Sequence, residues 1–200
     1  MSYGPSPFEP ELVTFEQHPA PHHANVFYGS SSIRLWEDIE TWFPGLSVVN
    51  RGFGGTTLAE CLYLIPRVVL PLEPSSLVLY AGDNDLDQGA SPEQVLHLFK
   101  QFIERIHKHF PGLPVAYVAV KPSPARYWNL TAIRRLNEMI REAISQLPLV
   151  TYLDVFTPML SPAGGSRPEL FTEDGLHMNA DGYRLWSGVI RAWLEKLPPP

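Results

Sequence analysis

A single cysteine in 200 residues rules out an internal disulfide, and Cys61 lies in an apolar run where a thiol reads as buried packing rather than a nucleophile. Basic residues are also scarce. Lys and Arg number 15 against 21 Asp and Glu, a formal charge of -6, so no footprint for neutralising phosphates is present and nucleic acid is excluded as the expected partner. No apolar stretch approaches the roughly 20 residues that a membrane-spanning helix needs. Residues 1–23 are rich in proline and histidine but lack both a basic start and an apolar stretch, so they do not read as a secretory leader, and the expectation is a cytoplasmic protein. What the chain does have is a globular composition. Hydrophobic residues make up 44% and aromatics 12%, with 21 prolines and 14 glycines to punctuate turns. The length suits one core, read as a single domain over 25–197 behind an amino-terminal extension, 1–24.

Short β-branched or aromatic runs alternate with helix-period segments, the pattern of βαβ units around a mostly parallel sheet. Five strands are predicted: Val26–Tyr28, Leu46–Val49, Leu77–Tyr80, Val115–Val120 and Val150–Val155. The clearest helix starts at Ser91, where Ser-Pro-Glu-Gln supplies a cap, a first-position proline and a reciprocal Gln94 ahead of Val95, Leu98, Phe99, Phe102 and Ile106. A second spans Thr131 to Gln146, and a third Asn179 to Lys196. The predicted architecture is a three-layer α/β/α sandwich with a five-stranded sheet of flavodoxin-like topology. Such sheets bind ligands beyond the carboxyl ends of their strands, which directs attention to the loops there.

Gly29-Ser30-Ser31-Ser32 follows the first strand, and Gly52-Phe53-Gly54-Gly55 the second. Ala81-Gly82-Asp83-Asn84-Asp85-Leu86-Asp87 follows the third and reads as an acidic loop. It does not fit a calcium loop, because counting from Asp83 the positions that need glycine and glutamate hold Gln88 and Gln94. Directly before the last helix stands Asp174-Gly175-Leu176-His177. Three-residue spacing lets a carboxylate accept from one imidazole nitrogen while the other faces a substrate, as a serine's general base requires. Each block alone has a plain structural use: serines cap helices, glycines turn chains, and an aspartate can cap beside a satisfied histidine.

In combination and in order, these blocks resemble the SGNH (GDSL-type) hydrolases over Val26 to about Trp193. The resemblance implies Ser31 as nucleophile, Asp174 and His177 as its triad partners, and an oxyanion hole from Ser31, Gly55 and Asn84. Two positions depart from the family pattern: Ser30 stands for the aspartate of Gly-Asp-Ser, and Asp83 for the usual threonine before Asn84. Neither is a triad or oxyanion position. The expected reaction is hydrolysis of small-acyl carboxylic esters through an acyl-enzyme, arylesterase-like or acting on acetylated sugars, with no metal and no cofactor. An acyltransferase or thioesterase using the same triad is the alternative, followed by a non-catalytic small-ligand domain.

Substrate contacts are read less directly. The loops are short, implying an open cleft whose apolar wall could come from Trp36, Tyr127, Trp128, Phe171 and Met178, although core packing would serve each as well. Arg126, after the fourth strand, either binds a polar or anionic part of a substrate or pairs with the acidic loop. His18, His22, His23, His97, His107 and His109 read as solvated or capping residues rather than a metal cluster. The oligomeric state, a homo-oligomer included, is left open.

Overall fold

The computed structural model describes residues 7–198. Five strands form one sheet in the order β2-β1-β3-β4-β5: β1 (Asn25–Gly29), β2 (Val48–Gly52), β3 (Ser76–Tyr80), β4 (Val115–Val118) and β5 (Val150–Leu153), every neighbouring pair parallel. This is the expected flavodoxin-like order. The central strands β3 and β4 are buried throughout, matching their unbroken apolar sequences, whereas the edge strands β2 and β5 mix burial with exposure.

Alternation along β1 separates the two helical layers. Phe27 packs toward Trp36 and Phe43, while its neighbour Tyr28 stacks on Phe102 from the opposite face. The Tyr28 side carries helices α4 (Leu58–Val68), α6 (Pro92–His109) and α7 (Leu130–Ile144). The other side holds α2 (Ser31–Arg34), α3 (Ile39–Trp42) and α8 (Ala180–Leu194), joined where Trp36 meets Tyr183 and Trp186. Helix α6 begins as expected: Ser91 Oγ accepts from Gln94 N–H, and Gln94 Oε1 accepts from Ser91 N–H.

Ahead of β1, a helix not anticipated from the sequence, α1 (Glu9–Gln17), buries Leu12, and the ring of Phe8 lies edge-on to Phe53. Helix α4 was also unread, despite a full capping box between Thr57 and Glu60, because Pro66 sits inside it and proline ordinarily signals a break. Strands β4 and β5 each end two residues earlier than expected. Two further differences have a physical reason. Strand β2 lies further along, through Asn50 and Arg51, because an edge strand tolerates polar side chains; there Asn50 Nδ2 donates to the Ile33 and Trp36 carbonyls and fastens α2 to the sheet. The acidic loop is a short helix, α5 (Asp83–Asp87), whose first three residues are buried because cations from elsewhere neutralise Asp83 and a helix N–H meets Asp85.

Candidate active site

Strands β1, β2 and β3 run parallel, so the chain leaves all three at a common rim, beside the point where the strand order switches direction. Register aligns Gly29 with Gly52 on one side and Tyr80 on the other, and the Ser30 N–H donates to the Tyr80 carbonyl at 3.0 Å. A side chain at Gly29 is impossible at this junction: its φ is +139°, and an added Cβ would lie 1.9 Å from the Tyr80 carbonyl oxygen.

Three serines emerge there with different fates. Ser30 is 1% exposed and its hydroxyl has no partner among the described residues, while Ser32 Oγ accepts from buried Lys121 at 3.0 Å. Ser31 begins α2 and is partly exposed; its Oγ lies 3.0 Å from His177 Nε2.

The histidine arrives on a tightly tied segment. Phe171 and Met178 bridge antiparallel, Thr172 N–H donates to the His177 carbonyl, and Ala125 N–H donates to the Gly175 carbonyl. Asn179 ends the segment by accepting the N–H groups of Asp181 and Gly182 at the start of α8. Within this turn, Asp174 Oδ2 meets His177 Nδ1 at 2.6 Å, and Asp174 Oδ1 accepts from Leu176 N–H, His177 N–H and Thr172 Oγ1. What burial it has pushes the Asp174 carboxyl upward, but the backbone donors of His177 and Leu176, with the two side-chain donors, outweigh that and hold it well below the ordinary carboxylate range. An ionised carboxylate at Nδ1 fixes the tautomer in which Nε2 can accept the serine proton. Tyr183 of α8 also donates to the Ser32 carbonyl at 3.0 Å, so one helix braces both sides of the pair.

Residues 28–185 match the GDSL-like lipase/acylhydrolase family. The chain belongs to this family. Among curated proteins it is similar to the platelet-activating factor acetylhydrolase IB subunit alpha1 of Bos taurus, 28% identical over 181 residues, covering 86% of this chain and 75% of the bovine protein. Among solved structures it resembles a GDSL-like lipase from Bacteroides thetaiotaomicron (TM-score 0.77, 20% identity, 92% and 97% of the two chains). It also resembles a carbohydrate esterase family 3 protein from Talaromyces cellulolyticus (TM-score 0.68, 18% identity, 86% and 97%).

The other residues that the family resemblance pointed to are also at the rim. Gly55 is exposed with φ +73°, a conformation that favours glycine, and among the described residues no protein acceptor takes the N–H of Ser31 or Gly55. Asn84 follows Asp83 at the start of α5; its Nδ2 donates to the Thr56 carbonyl at 2.9 Å, which leaves the second amide hydrogen free, and its Oδ1 accepts from Arg126 at 2.8 Å. Among the described residues, three donors without acceptors thus lie on the segments that directly follow β1, β2 and β3.

The apolar candidates divide. Trp36 is 1% exposed and packs against Tyr183, Phe27 and Phe43, so it offers no face to a cleft; an indole at the foot of α2 is drawn into the core by the aromatic cluster beneath it. Phe171 and Met178 are also buried, as the two ends of the histidine turn. Tyr127 and Trp128 are exposed beside Arg126, on a 3-10 segment spanning Pro124–Asn129. Arg126 itself points inward and pairs with Asp83 and Asp87 of the acidic segment, as one of its two expected uses required.

Lys121 is the residue that sequence reasoning passed over. It is 1% exposed and donates to Ser32 Oγ, Tyr80 Oη and Asp83 Oδ2. Its signal is a lone lysine directly after the apolar run Val115–Val120. Among the described residues no group of three or more His, Cys, Asp or Glu side chains could hold a metal ion, and no helix is long and apolar enough to cross a membrane.

Proposed function

We propose that this chain is a serine ester hydrolase that works through an acyl-enzyme on small-acyl carboxylic esters, of arylesterase or acetylesterase type. The observation that carries the reading is the Ser31–His177–Asp174 alignment, with a 3.0 Å contact between residues 146 positions apart and a 2.6 Å contact between residues three apart.

In this reading Ser31 Oγ attacks the ester carbonyl carbon as His177 Nε2 takes the hydroxyl proton. The tetrahedral oxyanion is met by the N–H groups of Ser31 and Gly55 and the free amide hydrogen of Asn84. When the intermediate collapses, the bond to the leaving oxygen breaks, and that oxygen takes the proton from His177. Water then attacks the Ser31 ester, again giving its proton to His177, and release of the acid restores the serine hydroxyl. Asp174 stays ionised and stabilises the imidazolium in both halves.

The small-acyl preference is supported by the bovine relative, whose name is that of an acetylhydrolase. A panel of aryl esters, acetylated sugars and acyl-thioesters, with Ser31→Ala as control and an added acceptor alcohol, tests the proposal. Hydrolysis of acetyl esters that is lost in Ser31→Ala is expected. Turnover unchanged in Ser31→Ala would overturn it, and product formed mainly on the alcohol would make the protein a transferase.

A further inference from the structure

Arg126 is turned away from solvent, its side chain only 11% exposed, and its guanidinium meets three groups of α5. Nη2 donates to Asn84 Oδ1 at 2.8 Å and lies 3.3 Å from Asp87 Oδ2, while Nη1 lies 3.2 Å from Asp83 Oδ2. The Asn84 amide is therefore gripped at both ends. A guanidinium can only donate and the Thr56 carbonyl can only accept, so Oδ1 must face Arg126 and Nδ2 must face Thr56. With the amide plane and its flip both fixed, the second Nδ2 hydrogen has one direction left to it. A cation on Oδ1 also draws electron density from the amide, and the remaining N–H becomes a stronger donor.

Arg126 is not isolated behind the amide. Asp83 is shared with Lys121, whose ammonium donates to Ser32 Oγ at 3.0 Å and to Tyr80 Oη at 3.1 Å, and Tyr80 Oη donates back to Asp83 at 3.0 Å. Side chains thus run without a break from Ser32, next to the nucleophile, through Lys121, Asp83 and Arg126 to Asn84. Lys121 and Arg126 share the buried Asp83 carboxylate, and Arg126 also reaches Asp87, which is partly in water. Burial would raise the Asp83 carboxyl, but Lys121, Arg126 and the Tyr80 hydroxyl outweigh it and hold it ionised, so both cations keep a fixed partner.

We propose that Arg126 is a positioning residue that locks and polarises the Asn84 amide for the oxyanion and, through Asp83 and Lys121, ties that amide to the turn carrying Ser31. This rests on the reading of Asn84 as an oxyanion donor. It takes the place of a substrate-binding role, because Nη2 is committed to Asn84 and Asp87 and Nη1 is buried against Asp83.

The test is a double-mutant cycle of Arg126→Met and Asn84→Ala, with kcat and KM measured on 4-nitrophenyl acetate and on an ester of an anionic acid. Arg126→Met should lower kcat about 10–100-fold on both esters with KM nearly unchanged, the size expected from misplacing a group at the reacting centre. In the Asn84→Ala background the same change should cost almost nothing, since the group it acts through is gone. Arg126→Lys, which keeps the charge but not the fork, should recover part of kcat; if the methionine variant does not fold, the lysine variant takes its place in the cycle. Additive losses in the double variant would overturn the proposal and leave the hydrolase reading standing, as would a KM rise confined to the anionic ester. Wild-type kcat in Asn84→Ala would overturn the proposal together with the reading of Asn84 as an oxyanion donor.

Discussion

Replacing Asn84 by alanine separates catalysis from stability in a way the structure allows to be worked out beforehand. One preorganised donor at an oxyanion site contributes about 2.7–4 kcal/mol to the transition state, so kcat should fall by about 10²–10³. The fold also loses something. The Thr56 carbonyl belongs to a residue that is fully buried, and losing its amide donor should cost about 1–3 kcal/mol. For a chain of this length that lowers Tm by about 2–12 °C, a loss that leaves the protein folded at assay temperature. Arg126 keeps its carboxylate partners, so the network does not come apart. Asn84→Asp is the informative companion. It preserves an oxygen for Arg126 but supplies no N–H and sets a negative charge where the oxyanion forms, so its kcat should fall below that of the alanine variant. Steady-state hydrolysis of 4-nitrophenyl acetate with parallel thermal unfolding measures both effects. An alanine variant with kcat within about threefold of wild type would refute the assignment of Asn84 to the hole.

Three further predictions are independent of that one. Asp174→Asn should keep the backbone-held turn but offer an amide hydrogen to Nδ1, forcing the tautomer in which Nε2 cannot accept from Ser31; kcat should drop about 10⁴-fold, and retention of more than about a tenth of the rate contradicts the role. Asp85, 4% exposed, is pushed by burial up to about 6, against the Leu58 N–H that favours its charged form. A carboxyl raised from about 3.9 in the unfolded chain stabilises the fold below about pH 4 and loses that contribution as pH rises through 6. Unfolding free energies should therefore shift in favour of Asp85→Asn by about 3 kcal/mol between pH 4 and pH 7, and a difference that does not vary with pH would refute the burial argument. Among aryl esters of increasing acyl length, kcat/KM should be greatest between acetyl and butyryl, gaining about 0.8 kcal/mol per buried methylene until the wall is reached; a maximum at long chains would sink the open cleft.

The sheet was legible because its interior strands are continuous apolar runs, Leu77–Tyr80 and Val115–Val118, that only a doubly covered parallel sheet accommodates. The Ser91 cap was legible for the same kind of local reason. What was hidden depends on partners distant in sequence. Asn50 and Arg51 look like loop residues until β1 supplies their ladder, and Asp83–Asp87 looks like a solvated loop until Lys121, 38 residues beyond Asp83, and Arg126, 43 beyond Asp83 and 39 beyond Asp87, neutralise it. Trp36 reads as available to a cleft because it lies near the Gly29–Ser32 block; the aromatic cluster that claims it includes Tyr183 and Trp186 from the far end of the chain. The candidate site itself was readable as residue types in order, but the ties that orient them, from Tyr183 to the Ser32 carbonyl and from Arg126 to Asn84, needed coordinates.

The most direct test of the central claim is covalent labelling with a fluorophosphonate followed by peptide mass spectrometry, because the 29–34 segment offers three adjacent hydroxyls in different surroundings. One phosphonyl group on Ser31, formed far more slowly in His177→Ala, is the expected result. Modification of Ser30 or Ser32, or no adduct at all on an enzyme that hydrolyses esters, would contradict the account.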